Sequence, residues 1–253
     1  MKFWLKVILV FGLLLIIGLV VWIYFLDDDK SYYSKAIAEG SSKKCEKIKD
    51  AKRRDRCYWE TVSRLSDCEK ISEGSSIRDF CYDDLAYNAN MLSFCEYIDD
   101  LNRRELCYQK IGIRRKDVSV CKKISHEGVR DICYSGVAVE TRNPDLCKNV
   151  ITVQENGECF SRIAYYKKDA SLCERPIRQR ERDMCYNLVA KETGDTFLCD
   201  KISGETEFSH DNCLISIAYD TKNLSICEES FYSDLEKERC RNLKLGDDNE
   251  VVV

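Results

Sequence analysis

The chain has 253 residues, 33% of them charged and 44% hydrophobic, with a formal net charge of −4, only 2 prolines and 11 glycines. So few breakers beside so many charges exclude a disordered, collagen-like or all-β chain and point to an ordered helical protein. The mildly acidic balance excludes a general nucleic-acid binder, which needs a basic surface.

At the N-terminus, Lys2 and Lys6 precede an uncharged stretch from Val7 to Leu26, and Asp27, Asp28 and Asp29 follow it. About 20 apolar residues span a bilayer. A cleaved signal peptide has an apolar region of only about 7 to 15 residues and a small-residue cleavage site. Here the run ends in Ile23-Tyr24-Phe25-Leu26 with no Ala-x-Ala pattern. It therefore reads as an uncleaved signal anchor, with residues 1–6 cytoplasmic and 7–26 transmembrane. The positive-inside rule places everything beyond Leu26 on the extracytoplasmic side of the cell membrane. Only Lys2 and Lys6 of the 40 basic residues lie in the first 26, and none of the 44 acids does, so the part beyond carries −6.

Residues 27–40 read as a linker and an N-terminal capping half-repeat. Tyr33, Ile37 and Ala38 copy the aromatic, aliphatic and small positions of the long helices that follow, with Tyr32 where a cysteine would stand.

From 41 to 245 the chain is paced by 16 cysteines, of which Cys95, Cys121, Cys147, Cys173 and Cys199 are spaced by 26. A fixed period of this size marks a repeat array. Each unit opens on a short helix. A capping residue stands four positions before the first cysteine in six units (Ser41, Asp117, Asn143, Asp169, Asp195 and Asn223), followed once by Pro144 at the first helical position. Apolar residues one before and three after the cysteine share a face with it, as in Val120-Cys121 with Ile124. A longer helix carries the second cysteine. After it come an aromatic or large residue, an aliphatic one and a small one, as in Cys133-Tyr134 with Val137-Ala138 and Cys159-Phe160 with Ile163-Ala164. Two before this cysteine an acid recurs in seven units (Asp55, Asp79, Glu105, Asp131, Asp183, Asp211 and Glu238), and is expected to complement the helix dipole. Lys116, Lys168 and Lys222 mark the opposite pole. The unit is a helical hairpin.

The ends of the series set the pairing. Joining cysteines within hairpins uses every thiol: Cys45–Cys57, Cys68–Cys81, Cys95–Cys107, Cys121–Cys133, Cys147–Cys159, Cys173–Cys185, Cys199–Cys213 and Cys227–Cys240. The shifted register strands Cys45 and Cys240. Disulfides persist outside the cytosol, which agrees with the orientation of the anchor. The expected fold is all-α: a right-handed-type α-solenoid of eight hairpins of about 26 residues, one disulfide each, after a transmembrane helix. Residues 246–253 are expected to be a disordered acidic tail.

Over residues 32–245 this layout resembles the secreted cysteine-rich hairpin-repeat proteins of bacteria, which belong with the tetratricopeptide superfamily. The likeness is architectural. It implies an extracytoplasmic binding solenoid and transfers no site residue.

Chemistry-bearing motifs are sparse. The nearest cysteines lie 11 apart and the only histidines are His126 and His210, so no metal ligand spacing and no redox C-x-x-C occurs. No phosphate loop, nucleophile elbow or H-E-x-x-H is present. No catalysis, cofactor, metal or nucleic acid is expected. A basic residue does recur three before the second cysteine, at Arg54, Arg78, Arg104, Arg130, Arg182 and Lys237. It reads either as exposed ion pairs with acids after the first cysteine, such as Glu46, Glu69, Glu96, Glu174 and Glu228, or as a basic ladder for an acidic partner. Trp59, Tyr97, Tyr165, Tyr166, Phe231 and Tyr232 lie off or beside the buried stripe and are candidates for anchoring a partner. The expected function is that of a membrane-anchored module binding or scaffolding a protein or cell-envelope component, the alternative being a passive envelope spacer.

Overall fold

A computed structural model describes residues 14–19, 28–204, 206–229 and 234–241. The described residues are all-helical, without strands. No helix among them is long and apolar enough to cross a membrane, and most of the expected span 7–26, like the tail 246–253, lies outside them. The chain divides into two compact units, Met1–Ile111 and Gly112–Val253.

Eight short-arm and long-helix pairs follow one another. In repeat 1 they are Ser42–Lys47 and Ala51–Glu60, in repeat 2 Leu65–Glu69 and Ser76–Ala89, and in repeat 3 Leu92–Tyr97 and Leu101–Arg115. Repeat 4 has Val118–Cys121 and Glu127–Thr141, repeat 5 Pro144–Asn149 and Val153–Lys167, and repeat 6 Ala170–Glu174 and Gln179–Thr193. Repeat 7 has Thr196–Lys201 and His210–Thr221, and repeat 8 Ser225–Glu229 and Asp234–Arg241. The short arm is a 3-10 turn in repeats 1, 3, 5, 6 and 7. A side-chain cap opens five of the arms: Asn143, Asp169 and Asp195 accept from the amide two residues on, and Asp117 and Asn223 do the same in the α-helical arms of repeats 4 and 8. Ser41 makes no such bond.

Every hairpin is closed by its own disulfide, with Cα–Cα separations from 5.3 Å at Cys173–Cys185 to 5.8 Å at Cys147–Cys159. All sixteen cysteines are at most 1% exposed, so the bridges are the centre of the core rather than clips on its surface. Around them the long helices bury Tyr82, Leu85 and Ala86 in repeat 2, Tyr134, Val137 and Ala138 in repeat 4, and Tyr186, Val189 and Ala190 in repeat 6. In the second unit one apolar cluster runs from Ala138 to Cys240. The small position has a steric reason at Gly112, where an added Cβ would stand 3.1 Å from the Cys133 Sγ and 3.3 Å from the Val120 Cβ.

That small residue also ends the helix. The amide five residues downstream returns to its carbonyl, as in Met91 to Ala86, Asp117 to Gly112, Asn143 to Ala138, Asp169 to Ala164 and Asn223 to Ala218. The turn needs a left-handed residue, and Asn90, Lys116, Arg142, Lys168 and Lys222 supply it with φ between 51° and 56°, a role that falls to Gly194 in repeat 6. Lys116, Lys168 and Lys222, the expected basic pole, thus also hold the left-handed position of their turns.

The helix before the first repeat sits in a register that differs by one residue from the expected one. Residues 28–39 are helical, and Ser31 rather than Tyr32 holds the cysteine position. Asp29 stands two before it, and the buried small residue is Ala36, whereas Ile37 and Ala38 are exposed.

Candidate functional site

The repeated acid shows the largest difference from expectation. At Asp29, Asp55, Asp79, Asp131 and Asp183 it is buried and bonds beyond its own helix, whereas Asp211 is half-buried beside His210 and Glu238 is exposed. Asp79, 8% exposed, accepts from the amides of Asp99 and Asp100 at 2.9 and 3.1 Å, at the entrance to the next long helix. Asp29 accepts from Lys49 and Asp50 at 3.0 and 2.9 Å, and Asp131 Oδ2 from Ile151 and Thr152 at 3.1 and 2.7 Å. Asp55 takes the amide and hydroxyl of Ser72, and Asp183 those of Ser203 together with the Thr206 hydroxyl. These five carboxylates therefore cap the inter-arm turn of the following repeat and tie it to the helix before it. Burial favours the neutral form of Asp29, yet the two amides and the Arg53 charge outweigh it and hold the carboxyl below its usual value. At Asp183 burial is likewise outweighed by the Ser203, Gln179 and Thr206 donors, and the carboxyl is again held low.

The repeated arginines point inward as well. Arg104 Nε donates to the Ile98 carbonyl at 2.9 Å and Nη2 to Asp99 at 3.2 Å. Arg130 Nη1 reaches Ile124 and Ser125, both at 3.3 Å, and Arg182 Nη1 reaches Pro176 and Ile177 at 3.0 and 2.8 Å. Arg54 bonds Ile48 at 3.4 Å, while Arg78 instead approaches the Tyr82 hydroxyl at 3.4 Å. The orphan carbonyls that end the short arm attract these donors. Arg54, Arg104, Arg130 and Arg182 are accordingly spent on closing their own hairpins rather than displayed as a ladder. Of the acids after the first cysteine, Glu46 pairs with Lys70 and Glu228 with Arg241. Sequence reasoning passed over Asn156, which stands at the arginine position of repeat 5 and donates to the Cys147 and Val150 carbonyls at 2.8 and 3.4 Å. Its column in the repeat was the available signal.

Repeat 5 also lacks the acid, having Gly157 there. An added Cβ would meet Glu181 Cγ at 2.3 Å and Cβ at 2.4 Å. Glu181 of repeat 6, fully buried, fills that space and is held by Arg178 Nε at 2.9 Å, with Arg180 Nη1 3.7 Å away. One buried carboxylate from above replaces the one missing below.

Of the aromatic candidates, Trp59 is half-buried and donates Nε1 to Asp84 at 2.7 Å. Its ring lies 5.6 Å from Phe80, and the Arg103 guanidinium covers Phe80 at 3.5 Å. Tyr97 is exposed and packs 5.4 Å from Tyr82. Tyr165 and Tyr166, 38% and 51% exposed, meet edge to face at 5.5 Å. The Glu192 carboxylate bonded to Tyr165 raises that phenol and is itself lowered by it. Phe231 and Tyr232 lie outside the described residues. His126 caps the long helix of repeat 4, accepting at Nδ1 from Val129 at 3.4 Å, and His210 sits 3.1 Å from Asp200 and 3.0 Å from Asp211. No cluster of three or more potential metal ligands occurs among the described residues.

No protein-family model, curated protein or solved structure matches the chain.

Proposed function

We propose that this is a single-pass membrane protein whose extracytoplasmic part is a right-handed-type α-solenoid, a stiff array that binds or scaffolds another protein or an envelope component. The observation that carries the reading is the oxidised state: eight bridges, one per hairpin, and no free cysteine. Such a density of disulfides belongs to an oxidising compartment. Support for the anchor comes from the apolar stretch 7–26 behind Lys2 and Lys6. Within it residues 14–19 are helical, and Leu14, Leu15, Ile16, Ile17 and Leu19 are all more than 50% exposed, a surface that water disfavours. Support for stiffness comes from the double clipping, by arginine within hairpins and by aspartate between them.

Binding rather than passive spacing is favoured by exposed tyrosines at one repeat position. Tyr87, Tyr165 and Tyr219, each six residues beyond the second cysteine, are 46%, 38% and 50% exposed. A spacer has no use for them, whereas aromatics concentrate binding energy at interfaces. The test is crosslinking in intact native cells followed by capture of the full chain. The reading expects a discrete partner that the Tyr165→Ala/Tyr166→Ala/Tyr219→Ala variant loses. Equal capture by that variant, or labelling of the lysines beyond Lys30 only after the cells are opened, would refute it.

A further inference from the structure

A concave site in the first unit is lined mainly by cations. The half-repeat helix 28–39 and the start of the repeat 1 long helix border an open groove of about 540 Å³ lined by Lys30, Tyr33, Asp50, Lys52, Arg53 and Arg56. Pockets of this volume accept a small ligand. Its lining holds four cations and one carboxylate in a chain whose overall charge is −4.

The acids nearby engage Arg56 and Arg53 but leave the two lysines. Asp50 Oδ1 is occupied as the helix cap by the Arg53 amide at 2.8 Å. Glu60 is taken by Arg56 Nε at 2.8 Å and by the Tyr33 hydroxyl at 2.6 Å. Both oxygens of Asp29 serve the Lys49 and Asp50 amides, so Arg53 Nη1 stands 3.9 Å from Asp29 Oδ2, buried and without a hydrogen-bond partner among the described residues. A buried guanidinium nitrogen with no acceptor costs free energy. Lys30 and Lys52 make no ion pair among the described residues. Two exposed ammonium groups without ion pairs among the described residues, lining one concave surface with the guanidinium groups of Arg53 and Arg56, are a donor set suited to a phosphate oxyanion.

We propose that this concave site binds a phosphate-bearing anion, held by Lys30 and Lys52 with the Arg53 and Arg56 charges in the wall behind them. Two sources share that chemistry, free phosphate and the headgroup of an anionic phospholipid. The lipid source rests on the membrane-anchor reading above. Lys30 is four residues beyond Leu26, within about 14 Å along an extended chain, so an anchored protein holds the groove at the bilayer surface. Phosphate binding itself does not depend on the anchor.

The experiment is calorimetric titration of the purified full chain in detergent, free of phosphate, with inorganic phosphate, with dihexanoyl phosphatidylglycerol below its micelle concentration, and with dihexanoyl phosphatidylcholine. Saturable binding of phosphate or phosphatidylglycerol is expected, weakened at least about tenfold in Lys30→Glu/Lys52→Glu, whose side chains are exposed and whose thermal unfolding should match the parent. Tighter binding of phosphatidylglycerol than of phosphate identifies the lipid source, and the reverse identifies the free anion. No saturable binding of either up to about 10 mM, or binding undiminished in the double variant, overturns the proposal. Either result leaves the partner-capture test untouched.

Discussion

Replacing Asp79 by asparagine separates two accounts of the repeated acid by magnitude. Were its charge merely complementing the dipole of its own helix, the substitution would cost about 0.3–1 kcal/mol. In the structure each carboxylate oxygen accepts one backbone amide of the next repeat, at 2.9 and 3.1 Å, with the residue 8% exposed. Bonds to an ionised acceptor contribute about 1.5–3 kcal/mol each, and a buried donor left unpaired costs about 1–3 kcal/mol. Asparagine keeps one acceptor and turns an NH2 group against the second amide, so the expected loss is about 2–4 kcal/mol. The assay is urea unfolding of the oxidised chain together with amide hydrogen exchange. Exchange at Asp99 and Asp100, twenty residues away in sequence, should accelerate on the order of 10²-fold, since each 1.4 kcal/mol is a factor of about ten. A loss below about 1 kcal/mol with unchanged exchange at those two amides would refute the inter-repeat cap and restore the dipole reading.

Gly157→Asp should destabilise the chain by about 1–3 kcal/mol through overlap with Glu181, although it restores the commonest residue of its column, and Glu181→Ala in the same chain should recover part of that loss; additive effects in the double-mutant cycle would contradict the exchange of roles. Dithiothreitol alone should leave the bridges of repeats 4 to 7 intact, because attack on a disulfide needs access and these sulfurs are buried, whereas the same reductant with guanidinium should open all of them; ready reduction without denaturant, read by alkylation and mass, would count against the buried core. Acid should weaken the fold in a defined window. Asp29 and Asp183 titrate below 3.8 when folded, so the unfolded chain binds more protons there; their contribution is complete above about pH 5 and is lost as pH falls through their folded values. The urea midpoint should therefore be level from about pH 7 to 5 and drop below about 4, with a shallower acid slope in Asp29→Asn/Asp183→Asn; an identical slope in that variant would show that other groups carry the acid sensitivity.

Much of the architecture was legible because it is written in a repeat. The cysteine period, the aromatic, aliphatic and small positions after each second cysteine, and the caps at Asp117, Asn143, Asp169 and Asp195 each have a local physical signature, and each sits where that signature puts it. The roles of the polar columns were not legible in the same way. An acid two residues before a helical cysteine satisfies the dipole rule whichever way its side chain points, and only the packing of neighbours reveals that Asp131 serves Ile151 and Thr152. The arginine column misled for a related reason: a periodic charge looks like a displayed ladder until the carbonyls ending each short arm are counted as acceptors. The half-repeat register slipped because adjacent Tyr32 and Tyr33 both fit an aromatic position, and Asp29 was the marker that would have set it. The cation-lined groove had no sequence signal, because Lys30 and Arg53 belong to different helices.

The most direct test is a peptide map of the unreduced protein taken from its native cell, with any thiols trapped at lysis. Eight linkages are expected, each joining the two cysteines of one hairpin, from Cys45–Cys57 to Cys227–Cys240, and no trapped thiol. A Cys57–Cys68 linkage, or a protein recovered with its cysteines alkylated, would contradict the account.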